Sequence, residues 1–190
     1  MRRVFILCSA MALLVAVMAG TGRARQEQQD KSKRPSPAAH AEFQFADGKT
    51  IIVDYSSPRA KGRKIYGGLV PYGQVWRAGA NEATTFVTNT DVTVGGKTVP
   101  AGEYTLFVIP NQDKWTLIIS KKTKNAKGGP LWGTDYPGEG QDLIRVDMKA
   151  TPFPSPVENF TIAFDKMGDG CVMRMDWETT RASVDIAEKK

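Results

Sequence analysis

From residue 41 onward, the sequence consists of short runs that are rich in Val, Ile, Thr and aromatic residues and that alternate apolar with polar side chains. Turn residues separate these runs roughly every eight to twelve positions. Ile144, Val146 and Met148, for example, alternate with polar neighbours, and Asp47-Gly48 is a dipeptide that fits a type I′ hairpin turn. We find no helical period of useful length. Because alternate side chains of a strand face opposite sides of its sheet, the pattern predicts an all-β fold.

The number of these runs predicts how the strands are arranged. We expect about nine or ten mostly antiparallel strands, which is more than one open sheet usually holds without splitting. The prediction is therefore a two-sheet β-sandwich or jelly roll, formed by one domain over residues 41–190. A domain of about 150 residues hides roughly 70% of its unfolded surface, which is enough for a core without disulfides.

The first 40 residues differ in character from the rest of the chain. Arg2 and Arg3 precede a 16-residue uncharged run that is short for a membrane span, which needs about 20 apolar residues. We predict a signal peptide over residues 1–19, cleaved after Ala19, and an exported protein that is periplasmic or extracellular and is not inserted in a membrane after leader cleavage. Residues 20–40 contain no large apolar side chain, so we predict a disordered linker there.

The net charge of +6 belongs mostly to these first 40 residues. From Ala41 onward the chain has 19 basic and 18 acidic residues, a net charge of +1. A protein that binds duplex phosphates over a broad face needs a far more basic domain. We therefore predict no nucleic-acid partner.

The scarcity of histidine and cysteine excludes several kinds of catalytic site. His40, the sole histidine, falls in the predicted linker, and Cys8 falls in the predicted leader, so Cys171 is left as a single thiol, which we expect to be buried. The domain should then contain no disulfide, no Ser-His-Asp triad, no Cys-His pair and no multi-histidine zinc site. We predict no bound metal and no cofactor.

Two long segments, residues 56–83 and 121–140, lack the strand pattern, and long loops in a compact domain are often functional. The first combines guanidinium groups, which grip anions at two points, with aromatic rings, which stack on sugars. We predict that it forms a pocket for a small polar or glycan-like ligand. The pocket residues would be Arg59, Arg63, Tyr66, Tyr72, Trp76, Arg77, Asn81 and Glu82. A solvated basic turn beneath which Tyr72 and Trp76 cover the core is the structural alternative.

Other hypotheses also fit this sequence. A carboxylate-dependent, glycan-active hydrolase would use Glu82 with a second carboxylate roughly 5 to 9 Å away, and Asp54, Asp176 and Glu178 are the candidates. A structural envelope component would use exposed sheet edges to pair with other chains. In the second segment, Trp132-Gly133 and Tyr136 would either complete the rim of the pocket or form a satellite hydrophobic cluster.

Several stretches identify a family resemblance. They are SPRAKGRKIYGGLVPYGQVWRAGANEATTF, VPAGEYTLFVIP followed by WTLIIS, then LWG, and finally MDWETTRASVDI. With them, residues 42 to 187 resemble a family of exported bacterial proteins known only as a domain of unknown function, number 2911 in that series. The resemblance implies a leader followed by one β-rich domain. It implies no catalytic residues.

Overall fold

The computed structural model describes residues 34–189. In that range it contains nine strands and one short 3-10 helix, Glu139–Gln141. The strands are β1 (Ala38–Gln44), β2 (Thr50–Ser56), β3 (Thr84–Thr88), β4 (Val92–Val94), β5 (Lys97–Val99), β6 (Gly102–Ile109), β7 (Lys114–Ser120), β8 (Asp142–Met167) and β9 (Gly170–Glu188). The prediction of an all-β fold is confirmed.

The prediction of two separate sheets is not confirmed, because hydrogen bonds connect all nine strands. The order is β1-β2-β3-β6-β7-β8-β9-β4-β5, and every pairing is antiparallel. The long strands β8 and β9 cause this continuity. The first part of β8 pairs with β7, and the rest of it, from Lys149 onward, pairs with β9. The number of strands in the sequence could not show that one long strand, β8, would pair with β7 in its first part and with β9 in the rest.

The sheet is bent so that its inner face closes on itself. Three strands separate β2 from β8, which in a flat sheet would place them about 19 Å apart at the usual strand spacing. The rings of Tyr55 in β2 and Phe160 in β8 are nevertheless 5.8 Å apart, and the Ile162 backbone N–H donates to the Tyr55 hydroxyl at 3.0 Å. Register shifts between Pro152 and Thr161 interrupt β8, and such irregularities bend a strand.

The enclosed core is rich in aromatic side chains. Trp115, Trp177 and Phe160 are almost completely buried in it. A second, smaller cluster of Ala83, Phe107, Ile118 and Leu131 lies on the other side of β6 and β7, where the side chains point away from the main core. Cys171 is fully buried, as predicted, and burial raises the pKa of its thiol to about 12. The thiol is therefore protonated and unreactive in the folded protein.

The N-terminal boundary of the sheet requires a correction. The predicted leader and most of the predicted linker lie outside the described residues, but β1 begins at Ala38, so the last three linker residues pair with β2. His40 consequently belongs to the domain, where its Nδ1 lies 2.7 Å from Oδ1 of Asp54. The linker prediction failed here because backbone hydrogen bonds can hold a strand whose own side chains are small or polar.

The described part of the chain shows two further features. Strands β1 and β5 form the two edges of the sheet. Residues 34–189 contain no helix with the length and apolar character needed to span a bilayer.

Candidate functional site

The two long segments without strand pattern, residues 56–83 and 121–140, contact each other in the folded protein. The backbone N–H of Ala83 donates to the Leu131 carbonyl at 2.9 Å, and that of Gly133 donates to the Asn81 carbonyl at 3.0 Å. The first segment is also tied to the interrupted part of β8, because the Phe160 N–H donates to the Pro58 carbonyl at 2.9 Å. Residues 56–83 are therefore fixed on both sides and present their side chains in defined positions.

A cavity of about 380 Å³, which we call the Arg77 cavity, opens beside this segment. Its lining consists of Ser36, Pro58, Arg63, Leu69, Val70, Trp76, Arg77, Gly79, Ala80 and Trp177. Three of the eight predicted pocket residues, Arg63, Trp76 and Arg77, contribute to this lining. Among the described residues, no acidic side chain contributes to it.

Arg77 is positioned by its backbone neighbours and by a glycine. The preceding residue, Trp76, exchanges two backbone hydrogen bonds with Val108 of β6, at 2.7 and 2.8 Å. The Arg77 side chain then crosses Gly133 so closely that a Cβ atom at residue 133 would lie 1.9 Å from Arg77 Cδ. Its Nε is buried, and no described residue provides it with a hydrogen-bond partner. Burial lowers the pKa of the Arg77 guanidinium below its ordinary value, since no anion compensates the charge.

An aromatic stack forms the apolar wall of the Arg77 cavity. The rings of Trp76 and Trp177 are 5.7 Å apart and nearly parallel, at 17°, and Trp76 also meets the edge of Phe160 at 5.0 Å. The Trp177 indole N–H donates to the Glu158 carbonyl at 3.2 Å. These contacts fix the orientation of the wall.

Arg59 and Arg63 donate hydrogen bonds within their own loop. Arg63 donates from Nε to the Ala60 carbonyl at 3.0 Å and from Nη2 to the Arg59 carbonyl at 2.7 Å. Arg59 donates from Nη1 to the Ser57 hydroxyl at 3.0 Å and does not line the Arg77 cavity. The basic turn is thus braced by its own guanidinium groups, and Arg63 alone among them reaches the cavity.

The two tyrosines lie elsewhere. Tyr66 is part of the core, with its ring 4.9 Å from that of Trp115, and its buried hydroxyl has no hydrogen-bond partner among residues 34–189. Burial raises the pKa of this hydroxyl well above its ordinary value. Tyr72 is exposed and lines a different cleft, of about 540 Å³, together with residues 111–114.

Asn81 and Glu82 hold the N-terminal segment against the site. The Asn81 side-chain amide donates to the Ser36 carbonyl at 3.3 Å, and Arg34 donates to Glu82 Oε2 at 2.7 Å. These contacts place Ser36 at the Arg77 cavity. Sequence reasoning missed Ser36, because it fell in the predicted linker, and Trp177, because its strand pattern marked it only as a core residue.

Glu82 also lines a separate cleft of about 180 Å³ that contains a second carboxylate. Asp54, Ser56 and Thr85 are among its other lining residues. Asp54 was a sequence candidate for partnering Glu82, and the fold brings the two into one cleft. The other candidates do not line it.

The second segment contributes to the smaller hydrophobic cluster, and Trp132, Gly133 and Tyr136 do not line the Arg77 cavity. The Tyr136 ring packs 5.1 Å from that of Phe107 at the smaller cluster, which confirms a satellite hydrophobic cluster. Its hydroxyl donates to Asp142 at 2.8 Å. Trp132 is exposed, pairs with Glu82 through a backbone bridge and precedes the glycine beneath Arg77.

The described residues contain no group of three or more His, Cys, Asp or Glu side chains that could hold a metal ion. The chain matches no curated protein. It matches no solved structure either. A family model described as a protein of unknown function (DUF2911) matches residues 36–186, a range that includes the whole lining of the Arg77 cavity. The chain belongs to the DUF2911 family.

Proposed function

We propose that the protein is an exported module that binds a small polar or glycan-like ligand in the Arg77 cavity. The observation that carries this proposal is the convergence of Arg63, Arg77 and the stacked Trp76–Trp177 pair on one cavity of about 380 Å³. Ligand sites typically measure about 300 to 1,000 Å³ and combine apolar walls with a few polar groups. Export rests on the leader pattern of residues 1–19.

The wall and the polar groups have separate roles in this proposal. The Trp76 indole offers an apolar face to the CH groups of a sugar ring. The guanidinium groups fix the ligand's orientation through hydrogen bonds. Since Trp76 and Arg77 are already held by Trp177 and Gly133, binding needs little ordering of the protein, which favours affinity.

Obstruction of the Arg77 cavity tests this function. Leu69 lines it and is 49% exposed, so Leu69→Trp should narrow it without disturbing the core. Met167, at the β8–β9 turn, is similarly exposed, at 47%, and does not line the cavity. Met167→Trp is therefore the matched control. Calorimetric titration would use neutral hexoses, hexuronates, hexose phosphates and amino acids.

We expect at least one of these classes to bind the native protein, Leu69→Trp to weaken its binding at least tenfold, and Met167→Trp to leave it unchanged. Absence of binding by every class contradicts the proposal. So does binding that Leu69→Trp leaves intact.

A second candidate function, a glycan-active hydrolase, is favoured by the cleft that Asp54 and Glu82 share. Paired carboxylates serve as acid and as base or nucleophile in glycoside hydrolysis. Both groups are already engaged, Glu82 by Arg34 and Asp54 by His40, each at 2.7 Å. If the protein releases reducing sugar from polysaccharides, Glu82→Gln and Asp54→Asn should each abolish the release, and Glu42→Gln, a carboxylate outside this cleft, should not. If Glu82→Gln and Asp54→Asn still release reducing sugar, the hydrolase hypothesis is wrong.

A further inference from the structure

Arg77 differs from the other arginines of residues 34–189 in lacking any partner. Four of them donate to carboxylates: Arg34 to Glu82, Arg145 to Asp142, Arg174 to Asp165 and Asp176, and Arg181 to Asp176. Arg59 and Arg63 donate to backbone carbonyls or to Ser57. Within the described chain, no acceptor is found for the guanidinium of Arg77, although its Nε is fully buried.

A part-buried charge without a partner is costly, because the protein does not replace the water that the group loses. The lining that residues 34–189 give the Arg77 cavity offers no compensation, since it contains a second cation, Arg63, and no carboxylate. The packing of Gly133 against the Arg77 stem also keeps the side chain from swinging toward a distant acid. The cavity therefore retains an uncompensated positive charge.

We infer that the ligand of the Arg77 cavity carries an oxyanion, a carboxylate or a phosphate, that binds the Arg77 guanidinium. This inference rests on the proposed function and adds the chemical class of the ligand. An oxyanion supplies the missing acceptor in the fork geometry that guanidinium groups prefer, and a neutral sugar hydroxyl supplies it only weakly. Arg63, on the same lining, adds to the attraction.

The apolar part of the cavity lining indicates what the rest of the ligand should be, beyond its oxyanion. Leu69, Val70 and Trp76 present hydrocarbon or ring surface beside the charge. A small inorganic anion would leave this surface unused. An anionic group attached to a ring, as in a sugar acid or a sugar phosphate, contacts both parts of the cavity.

Glucuronate, glucose 6-phosphate and glucose test the inference, because they share one ring and differ in charge. Each would be titrated calorimetrically into the full chain at low and at high NaCl. We expect at least one of the two anions to bind at least tenfold more tightly than glucose at low salt, and this preference to shrink as NaCl rises. The tighter of the two distinguishes a carboxylate from a phosphate ligand.

Variants then assign the preference to one side chain. Arg77→Gln should weaken anion binding about 10- to 150-fold, because it removes charge-assisted hydrogen bonds, and should leave glucose binding unchanged. Arg77→Lys, which keeps the charge and the stem, should lose less. Lys64→Gln removes one positive charge from an exposed side chain that does not line the cavity, so it is the matched control.

The outcomes separate the inference from the function on which it rests. If glucose binds as tightly as the anions, and Leu69→Trp weakens all of them, the inference is overturned and the binding function stands. An anion preference that Arg77→Gln leaves intact also overturns the inference. The salt dependence of the native protein provides an answer even if Arg77→Gln does not fold. If none of the three compounds binds at millimolar concentration, the inference fails, and the wider ligand panel decides the function.

Discussion

Gly133 is the single residue whose side chain, or lack of one, shapes the site most directly. No positive φ requires glycine here; the requirement is space, because the Arg77 stem occupies the position of a Cβ atom. Cβ, Cγ and Cδ of Arg77 all lie within 2.9 Å of that position, so the conflict involves the base of the side chain and not its flexible end. The missing side chain at residue 133 thus determines where the Arg77 stem can lie.

Gly133→Ala should therefore lower the free energy of unfolding by about 1 to 3 kcal/mol, as overpacking generally does. It should also displace Arg77 and weaken any ligand that Arg77 binds. Gly140→Ala in the same segment, where an added Cβ has no atom within 4 Å, is the control and should change stability little. Urea denaturation of the three proteins makes the comparison. Equal stabilities for both variants would contradict the packing argument.

His40 provides a local pH response at the edge of the sheet. Its hydrogen bond to Asp54 raises the pKa of the imidazole above its ordinary value of 6.5, with Glu42 adding to the effect. Because the folded protein binds this proton more tightly than the unfolded chain, the resulting stabilisation is fully present below pH 6.5. It is lost as the pH rises through the folded-state pKa. The side chain is about half exposed, so the contribution is small.

As His40 is the only histidine, an NMR titration of its ring protons would report the pKa without ambiguity. We expect a pKa above 6.5 in the native protein and a lower one in Asp54→Asn. Asp147→Asn, which alters an exposed carboxylate elsewhere on the sheet, should not change it. An unaltered His40 pKa in Asp54→Asn would show that the strand pairing does not bring these groups together in solution.

At the scale of elements, an ion-pair network stabilises the β8–β9 hairpin where its register is irregular. Asp176 is only 3% exposed and accepts hydrogen bonds from Arg174 and from both Nε and Nη2 of Arg181, the latter two at 2.7 and 2.8 Å. Arg181 in turn lies over the Phe153 ring, 4.5 Å from its centre. Asp176 and Arg181 lie on β9 opposite the part of β8 where the register shifts occur, so the network links the two strands where their backbone pairing is irregular.

Asp176→Asn should consequently destabilise the protein by about 2 to 4 kcal/mol, because it leaves two guanidinium groups short of their partner. Asp165→Asn removes a carboxylate that is 53% exposed and forms an ion pair with Arg174, so its effect should stay below about 1 kcal/mol. Thermal or chemical unfolding of both variants measures the difference. If Asp176→Asn is as stable as the native protein, the ion-pair network does not stabilise the irregular part of β8.

For the whole molecule, the buried thiol reports the integrity of the fold. Cys171 has no exposed surface, and burial keeps its pKa near 12. In a Cys8→Ser background, which leaves Cys171 as the sole thiol, a thiol reagent should react only as fast as the protein unfolds. The rate should rise in urea in parallel with the loss of secondary structure. Rapid labelling under native conditions would contradict the burial of β9 in the core.

The wrapping of one sheet around the core was not predictable from pattern alone. Period-two alternation, turn dipeptides and the expected strand count pointed correctly to an all-β domain, because these signals are local. Whether nine strands form one sheet or two depends on hydrogen bonds between strands far apart in sequence. The pairing of β4 with the end of β9 is an example.

The sequence by itself determined that residues 56–83 and 121–140 depart from the strand pattern, and Arg63, Trp76 and Arg77 were among the eight pocket residues it predicted. It could not separate them from Tyr66, which packs in the core, or from Tyr72, which faces another cleft. Nor could it add Ser36, which comes from the segment before β1, or Trp177, which comes from β9. Residue type is local information, whereas a cavity is defined by the distances between segments, and only the tertiary structure determines those distances.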